Sequence, residues 1–296
     1  MVIGTFGEAY RHVRSMLAEE EGSRSAFVAR ELLSLASGYD TAALMSMSYD
    51  PIPKGVLERY LHDAGRIIDG EPLAYVLGNW SFYGLDLTVT PDVLIPRDDT
   101  MAVTDLALAY SPTDDRPVKI MDLCTGSGCI GLALASKLSQ AEVVLCDVSG
   151  KALRIAEKNA RDLKLWGRVT SLQADVLRAP ADDLQAFDMI VSNPPYITGE
   201  EMRELDRSVY AYEPHLALYG GEDGLVFYRA IIENYSSVLK DGGYLCFEFG
   251  LGQDDAVCRL LAENGYDVLE TKRDTGDIVR AVIAQKKERI NAYGNG

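Results

Sequence analysis

The sequence is short of basic residues and of long apolar runs, and each shortage excludes a class of protein. Its 296 residues include 29 lysines and arginines against 45 aspartates and glutamates, which gives a formal net charge of -16. This balance argues against a protein that follows nucleic-acid phosphates, although it still allows a local basic patch. No apolar stretch is long enough to span a bilayer, and the N-terminal residues lack the pattern of a signal peptide.

Cysteines and histidines are also few, which bears on metal sites and on acid–base catalysis. The five cysteines are scattered and contain no Cys-x-x-Cys pair. We therefore expect reduced thiols in a cytoplasmic protein and no metal site. Of the three histidines, His12 and His62 fall on predicted N-terminal helices, and only His215 falls in a region that could line a cleft.

The residue pattern divides the chain into four segments. Residues 1–70 have apolar residues at helical spacing, and we interpret them as an N-terminal helical domain for substrate recognition, with a structural cap as the alternative. Residues 71–96 are predicted to be a β-hairpin linker, because glycines separate three β-rich runs at 75–77, 80–83 and 85–89. Residues 97–285 form the second predicted domain, and residues 286–296 are a polar tail.

Strands and helices alternate in the second domain, which is typical of an α/β fold with a mainly parallel sheet and helices on both faces. The predicted strands cover residues 118–123, 142–147, 169–172, 189–191, 244–249, 266–270 and 278–284. The predicted helices cover residues 101–110, 130–138, 151–163, 225–239 and 254–263. We expect an antiparallel strand at the end of the sheet.

A glycine-rich loop lies between the first strand and the first helix that follows it. Gly126, Gly128 and Gly131 satisfy the spacing G-x-G-x-x-G, in which the backbone passes close to a ligand and a helix N-terminus presents free N–H groups. Asp147 ends the next strand about 20 residues later, where a carboxylate binds ribose hydroxyls. The loop therefore predicts a nucleoside site, and NAD is one of several ligands that fit it.

A second loop, Asn193-Pro194-Pro195-Tyr196, follows the strand at 189–191. The prolines stop the ladder and stiffen the backbone, and Pro195 has no N–H, so the Pro194 carbonyl is free to face a cleft. Asn193 adds a side-chain carbonyl, and Tyr196 adds a flat ring. Two acceptors and a ring suit a planar –NH2 group held by both hydrogens. A plain proline-rich turn is the alternative.

Together, Asp122, the loop Cys124-Thr125-Gly126-Ser127-Gly128, Asp147, Asp175-Val176 and Asn193 to Tyr196 resemble a class I S-adenosylmethionine methyltransferase, whose fold is Rossmann-like. The resemblance implies that the glycine loop lies near the methionine part of S-adenosyl-L-methionine and that Asp147 binds its ribose. It also implies that Asp175 and Val176 border the adenine. A helix cap is the alternative role for Asp175.

Further motifs narrow the resemblance to the protein-(glutamine-N5) methyltransferases of peptide chain release factors, over nearly the whole chain. They are Gly70 to Gly78, Phe82-Tyr83-Gly84-Leu85, Leu94 to Thr100, Glu213-Pro214 with Gly220-Gly221, and Arg273-Asp274. Two departures occur after Ile95-Pro96-Arg97, where Asp98 and Met101 replace a proline and a glutamate of the family pattern. They affect the packing of the helix that follows.

This resemblance implies methyl transfer to the glutamine amide of a Gly-Gly-Gln loop in a release factor, in the cytoplasm, without direct contact to nucleic acid or membrane. Asn193 and the Pro194 carbonyl would hold the amide, Tyr196 would pack on it, and Pro195 would complete the substrate site. Catalysis would then depend on positioning and electrostatics rather than on proton transfer.

Four alternatives remain open on the sequence. A glutamine methyltransferase of a ribosomal protein differs only in the Ile-Pro-Arg segment and the N-terminal domain. An N6-adenine nucleic-acid methyltransferase shares Asn-Pro-Pro-Tyr, but the acidic composition speaks against it. An NAD-dependent oxidoreductase fits the glycine loop and leaves Asn-Pro-Pro-Tyr unexplained, and a non-catalytic binding module is weaker still.

Overall fold

The computed structural model describes residues 3–112, 116–182, 184 and 186–288. Contacts between residues group the chain into two units. The first comprises the residues up to Asn79 together with Asp206–Tyr212, and the second comprises Trp80–Leu205 and the residues from Glu213 onward. None of the helices in these described ranges is both long and apolar enough to cross a membrane.

The first unit is helical, as the sequence predicts. Its helices are α1 (Phe6–Met16), α2 (Ala18–Glu21), α3 (Ser25–Ser37), α4 (Thr41–Ser46), α5 (Lys54–Ile68), α6 (Leu73–Leu77) and α10 (Arg207–Tyr212). Thr5 and Glu8 form a capping box at the start of α1, and Pro53 precedes α5. The Tyr60 hydroxyl donates to the Ala29 carbonyl at 2.8 Å inside the bundle, which ties α5 to α3.

One predicted strand of the linker is wrong, because residues 75–77 belong to helix α6. Its residues Leu73, Ala74, Tyr75 and Val76 are all buried, so continuous burial rather than strand alternation explains this apolar run. Pro72 before the helix and Gly78 after it, in the left-handed conformation at φ 75°, are typical helix boundaries. The rest of the hairpin is confirmed, as β1 (Asn79–Phe82) and β2 (Leu85–Thr88).

The second unit contains a seven-stranded sheet in the order β5-β4-β3-β6-β7-β9-β8. The strands are β3 (Val118–Leu123), β4 (Ala141–Asp147), β5 (Val169–Gln173), β6 (Phe187–Ser192), β7 (Leu239–Glu248), β8 (Tyr266–Arg273) and β9 (Val279–Lys286). Strands β3 to β7 pair in parallel, and β9 pairs antiparallel with both of its neighbours. The α/β prediction, including the antiparallel strand, is confirmed.

Helices α7 (Met101–Ala109), α8 (Cys129–Lys137), α9 (Gly150–Asp162), α11 (Val226–Tyr235) and α12 (Asp254–Glu263) cover the sheet. Alternate residues of β3 enter different cores: Ile120 packs in one, and Met121 and Leu123 pack in the other. Helix α11 ends at Tyr235, earlier than the predicted 239, because Leu239 already pairs with Phe187 in the sheet. The predicted polar tail lies, from residue 289 onward, outside the described residues.

Candidate active site

A cavity opens at the carboxyl ends of the central strands, where β3 and β6 are neighbours although they are not consecutive in the chain. This is the switch point at which ligands bind in open α/β sheets. The cavity measures about 950 Å³ including the space open to solvent at its mouth. Nine predicted site residues line it: Cys124, Thr125, Gly126, Ser127, Asp147, Asp175, Val176, Asn193 and Pro195. Gly128, Pro194 and Tyr196 lie beside these residues in the chain and do not line the cavity.

The glycine loop connects β3 to α8 and brings the helix unusually close to the sheet. Gly128 is the N-cap of α8, with a φ of 84°. A Cβ atom on Gly131 would lie 2.4 Å from Leu145 Cδ2 and 2.9 Å from Asp122 Oδ2. Only glycine at this position lets the first turn of α8 pack directly against β3 and β4.

Two acidic side chains accept hydrogen bonds from backbone N–H groups of this loop. Asp122 is buried, and its Oδ2 accepts hydrogen bonds from the Thr125 hydroxyl at 2.6 Å and the Gly131 N–H at 2.9 Å. Asp147 accepts from the Gly126 N–H at 2.9 Å and from the Ser149 N–H at 2.8 Å. Burial raises the pKa of Asp122 to about 7 and also raises the pKa of Asp147, whose hydrogen bonds act in the opposite direction.

This arrangement discriminates between nucleoside ligands. In a dinucleotide site the loop N–H groups receive a pyrophosphate, but here acidic side chains accept from Gly126 and Gly131. A doubly charged pyrophosphate would meet the Asp147 carboxylate, which lines the cavity. A ligand that carries a sulfonium cation and ribose hydroxyls instead offers positive charge and hydrogen-bond donors to this carboxylate. The site therefore fits S-adenosylmethionine better than NAD.

The other end of the predicted nucleoside site is a turn after β5. The Leu177 N–H donates to Asp175 Oδ1 at 3.0 Å, and the residues that follow form a turn, so the alternative of a helix cap for Asp175 is wrong. Val176 is buried, and its carbonyl accepts from Asn234 Nδ2 at 3.0 Å. This anchor holds Asp175 and Val176 against the cavity wall.

An ion pair on the cavity wall links two motifs that are far apart in the sequence. The Arg97 guanidinium donates to Glu213 Oε1, and the Ile95 N–H donates to Glu213 Oε2 at 3.3 Å. Glu213 is buried, whereas Arg97 is partly exposed and lines the cavity. The pair joins the Ile95-Pro96-Arg97 and Glu213-Pro214 motifs at the edge of the site.

The Asn-Pro-Pro-Tyr loop leaves the sheet at the end of β6. Asn193 is half-buried and its Nδ2 donates to Thr100 Oγ1 at 3.3 Å. Because the two ends of the amide point in different directions, the carbonyl Oδ1 is the end available to the cavity. Pro194 and Pro195 are buried.

Tyr196, the last residue of the loop, contacts other protein residues and does not line the cavity. Its carbonyl accepts from Gln253 Nε2 at 3.0 Å, and Gln253 Oε1 accepts from the Gly250 N–H at 2.9 Å. The Tyr196 ring packs next to Gly250, where an added Cβ would be 3.0 Å from Cδ2. The loop is thus held from behind by residues that follow β7.

Sequence reasoning missed residues that reach the cavity from distant segments. They include Asp92, Thr100, Ser149, Leu216 and Phe227, and none carries a local signal for this role. It also missed Glu248, a buried carboxyl at the end of β7. The signal for Glu248 is a charged residue between two phenylalanines in an apolar strand. His215, in contrast, is not among the residues that line the cavity.

Comparisons with known proteins agree with this geometry. Residues 104–241 match the family model of the methyltransferase small domain, and residues 8–78 match the model of the PrmC N-terminal domain. The chain is 37% identical over 280 residues to the release factor glutamine methyltransferase of Geobacter sulfurreducens, covering 95% of this chain and 96% of that protein. It is 39% identical over 217 residues to the Escherichia coli K12 enzyme of that name, covering 73% and 76%.

A solved structure supports the fold alone. The crystal structure of a methyltransferase from Pyrococcus furiosus aligns with a TM-score of 0.51 at 18% identity. The alignment covers 77% of this chain and 99% of that one.

Proposed function

The chain belongs to the release factor glutamine methyltransferases, which methylate a release factor glutamine with S-adenosylmethionine, and from this membership we propose the atoms involved. The acceptor is the side-chain amide nitrogen, N5, of the glutamine in a Gly-Gly-Gln loop. Asn193 and the Pro194 carbonyl hold that amide. The observation that carries the proposal is the direction of the Asn193 amide, whose Nδ2 is bonded to Thr100 and whose Oδ1 is left for the cavity.

The cofactor site in this proposal comprises eight residues that line the cavity, with Gly128 in the loop beside them: Cys124, Thr125, Gly126, Ser127, Asp147, Asp175, Val176 and Asn193. S-adenosylmethionine, when bound, supplies an electrophilic methyl group on a sulfonium sulfur. Asp147 would accept from the ribose hydroxyls, Asp175 and Val176 would border the adenine, and Cys124 to Ser127 would contact the methionine part. The Asp147 carboxylate lines the cavity at this loop, and its charge suits a cation.

The chain's own contribution to the reaction is positioning. An amide nitrogen is a weak nucleophile because its lone pair is delocalised into the carbonyl. Acceptors on both of its hydrogens orient the nitrogen and favour the positive charge that develops there as it bonds to carbon. One hydrogen then leaves the nitrogen as a proton, which passes to solvent water at the open mouth of the cavity. No histidine is among the cavity-lining residues of the described chain, which supports catalysis without a dedicated base.

We further propose that the first unit, residues 1–70 above all, recognises the body of the release factor. Stable protein recognition buries on the order of 1,200–2,000 Å² of accessible surface, and a glutamine side chain offers far less than this. The first unit carries exposed large apolar side chains, among them Met45 (78% exposed) and Tyr49 (92% exposed). The net negative charge of the chain does not favour nucleic acid as a partner. The five free cysteines favour the reducing cytoplasm.

Mapping the product tests the function directly. The full chain is incubated with labelled S-adenosylmethionine and intact release factor, and the labelled residue is identified by mass spectrometry. We expect label on the glutamine amide of the Gly-Gly-Gln loop. Label on another residue, or on a ribosomal protein or an adenine base in preference, would contradict the proposal.

The role of Asn193 has its own test. Asn193→Ala should lower single-turnover methyl transfer by roughly 100-fold or more, the scale for one oriented polar group, while cofactor affinity changes only a few-fold. Asn264→Ala, which removes an exposed asparagine of α12's C-terminus, is the matched control. Transfer by Asn193→Ala at the rate of this control would remove Asn193 from the reaction.

A further inference from the structure

A buried carboxyl group behind Asn193 has no role in the function described so far. Glu248 is 1% exposed and is the last residue of β7. Ser192 of β6 pairs with Phe247 of β7, so the next residue of each strand, Asn193 and Glu248, leaves the sheet at the same level. Burying a carboxylate is costly unless hydrogen bonds compensate for the lost water, so its position calls for a physical reason.

The Glu248 carboxyl group lies beside the residues that fix Asn193. Thr100, which is 2% exposed, accepts from Asn193 Nδ2 at 3.3 Å through its Oγ1. Glu248 Oε2 is buried and has no hydrogen-bond partner among the described residues. Thr100 and Asn193 lie beside the carboxyl group, and both favour its ionised form. A Thr100 hydroxyl that turns its hydrogen toward Glu248 presents its Oγ1 lone pairs to Asn193 Nδ2.

The two ends of an asparagine amide have nearly the same shape, so packing alone does not choose between them. Hydrogen-bond partners must decide which end faces the cavity. An ionised carboxylate is acceptor-only, and it attracts the –NH2 end and repels the carbonyl end. Only the orientation with Nδ2 inward leaves Oδ1 to accept from a substrate N–H.

We propose that Glu248 is a positioning residue that, with Thr100, holds the Nδ2 end of Asn193 and so turns its Oδ1 toward the target amide. The proposal rests on the function proposed above, because it assigns the acceptor role of Asn193 to an interaction outside the substrate site. Glu248 itself does not touch the substrate. It acts by excluding the flipped amide, which would present two donors to a substrate that also offers donors.

The protonation state of Glu248 should therefore control the orientation. Burial raises the pKa of Glu248 to about 7, and the donor groups of Thr100 and Asn193 beside it oppose that rise. Above this pH the carboxylate accepts from Nδ2; below it, a protonated carboxyl can donate to Oδ1 and hold the flipped amide. The other ionisable groups that act on Glu248 or respond to it are Asp99, Arg280, Cys129, Tyr196 and Tyr228.

Kinetics of Glu248→Gln provide the first test, since this change keeps the shape and removes the charge. At pH 8 the single-turnover rate should fall by about 10- to 100-fold, which is the scale for a reacting group that is displaced by about 1 Å. The KM for release factor and the calorimetric affinity for S-adenosylmethionine should stay within about 2-fold. The loss of rate on the acid side of pH 7 that we expect of the wild type should disappear.

Threonine variants separate the hydrogen-bond relay from a general loss of packing. Thr100→Val should behave like Glu248→Gln, and Thr100→Ser should restore the rate because it keeps the hydroxyl. Thr104→Val is the matched control: Thr104 is also fully buried, and its hydroxyl donates to the Thr100 carbonyl rather than to Asn193. Wild-type rates and an unchanged pH profile in both Glu248→Gln and Thr100→Val would overturn the proposal.

A measurement without substrate keeps this proposal distinct from the proposed function. In 15N-labelled full-length protein, the side-chain –NH2 signals of Asn193, assigned by their loss in Asn193→Ala, should titrate between about pH 6 and pH 8, the range of a carboxyl group shifted by burial. They should not titrate in Glu248→Gln. Signals that ignore both pH and the substitution would refute the role of Glu248. If instead the wild type fails to methylate Gly-Gly-Gln glutamine, the proposed function fails and the titration still decides the role of Glu248.

Discussion

Gly220 offers the sharpest test of how the Asn-Pro-Pro-Tyr loop is held in place. The Ile197 N–H donates to the Leu218 carbonyl at 2.9 Å, and the Gly220 N–H donates to the Ile197 carbonyl at 2.9 Å. The segment before α11 thus lies directly against the loop. An alanine Cβ at position 220 would be 2.6 Å from Tyr196 Cα, 2.7 Å from the Pro195 carbonyl oxygen and 2.8 Å from the Tyr196 carbonyl carbon.

The size of the effect follows from these contacts. All three are backbone atoms, which cannot rotate away, and ordinary contact begins at 3.4 Å, so the two segments must separate by about 0.8 Å. Gly220 does not have a positive φ, so alanine adds no backbone strain of its own. Overpacking of this kind costs about 1–3 kcal/mol of stability. A displacement close to 1 Å at a reacting group costs up to about 100-fold in rate.

We therefore expect Gly220→Ala to lower single-turnover methyl transfer by about 10- to 100-fold and to leave calorimetric binding of S-adenosylmethionine within about 3-fold. Cofactor binding is spared because the atoms nearest to an added Cβ belong to Pro195 and Tyr196 and not to the loops after β3, β4 and β5. Gly167→Ala is the matched control, since an added Cβ there meets nothing within 4 Å. A Gly220→Ala protein with the melting temperature and transfer rate of Gly167→Ala would refute this account of the loop.

Three further substitutions test other parts of the molecule. Asp147→Ala should weaken S-adenosylmethionine by about 1.5–3 kcal/mol in calorimetry, the range for hydrogen bonds to a charged group, and unchanged affinity in a folded protein would exclude it from the site. Asp122 has a pKa of about 7 against its usual 3.8, so the folded state binds the extra proton and the free energy of unfolding should fall as pH rises between these values. Asp122→Asn should flatten that fall in urea titrations, and equal slopes would contradict the assignment. Tyr49→Glu should raise the KM for intact release factor but not for a Gly-Gly-Gln peptide, whereas Trp166→Glu, at an exposed tryptophan of the second unit, should change neither.

Tyr49→Glu tests recognition more cleanly than a deletion of the N-terminal helices would, because helix α10 packs with those helices. Helix α10 belongs to the first unit although it lies more than a hundred residues away in the chain. The Tyr212 hydroxyl donates to the Asp69 carbonyl at 3.2 Å. Removing residues 1–70 would leave α10 without its packing partner, so a loss of activity in the shortened chain would not isolate recognition.

Much of the second unit was predictable because its signals are local. Buried parallel strands are continuous apolar runs, and glycines and prolines at their ends mark the turns. The strand ending at Leu123, the glycine loop and the Asn-Pro-Pro-Tyr loop could all be placed from neighbouring residues alone. The apolar run at 75–77 misled because its side chains are buried on every side, and burial of that kind does not distinguish a helix from a strand.

The sequence by itself determined the order of strands and helices, the two loops and the resemblance they carry, since each depends on residues a few positions apart. The tertiary structure alone decided which side chains support those loops. Arg97 and Glu213 are 116 residues apart, and Asn193 and Thr100 are 93 apart. Each pair meets because the folded chain brings the segment before α7 against segments that follow β6. The role of Glu248 depends on the pairing of β6 with β7 and on burial from water, and neither property is written in the residues next to it.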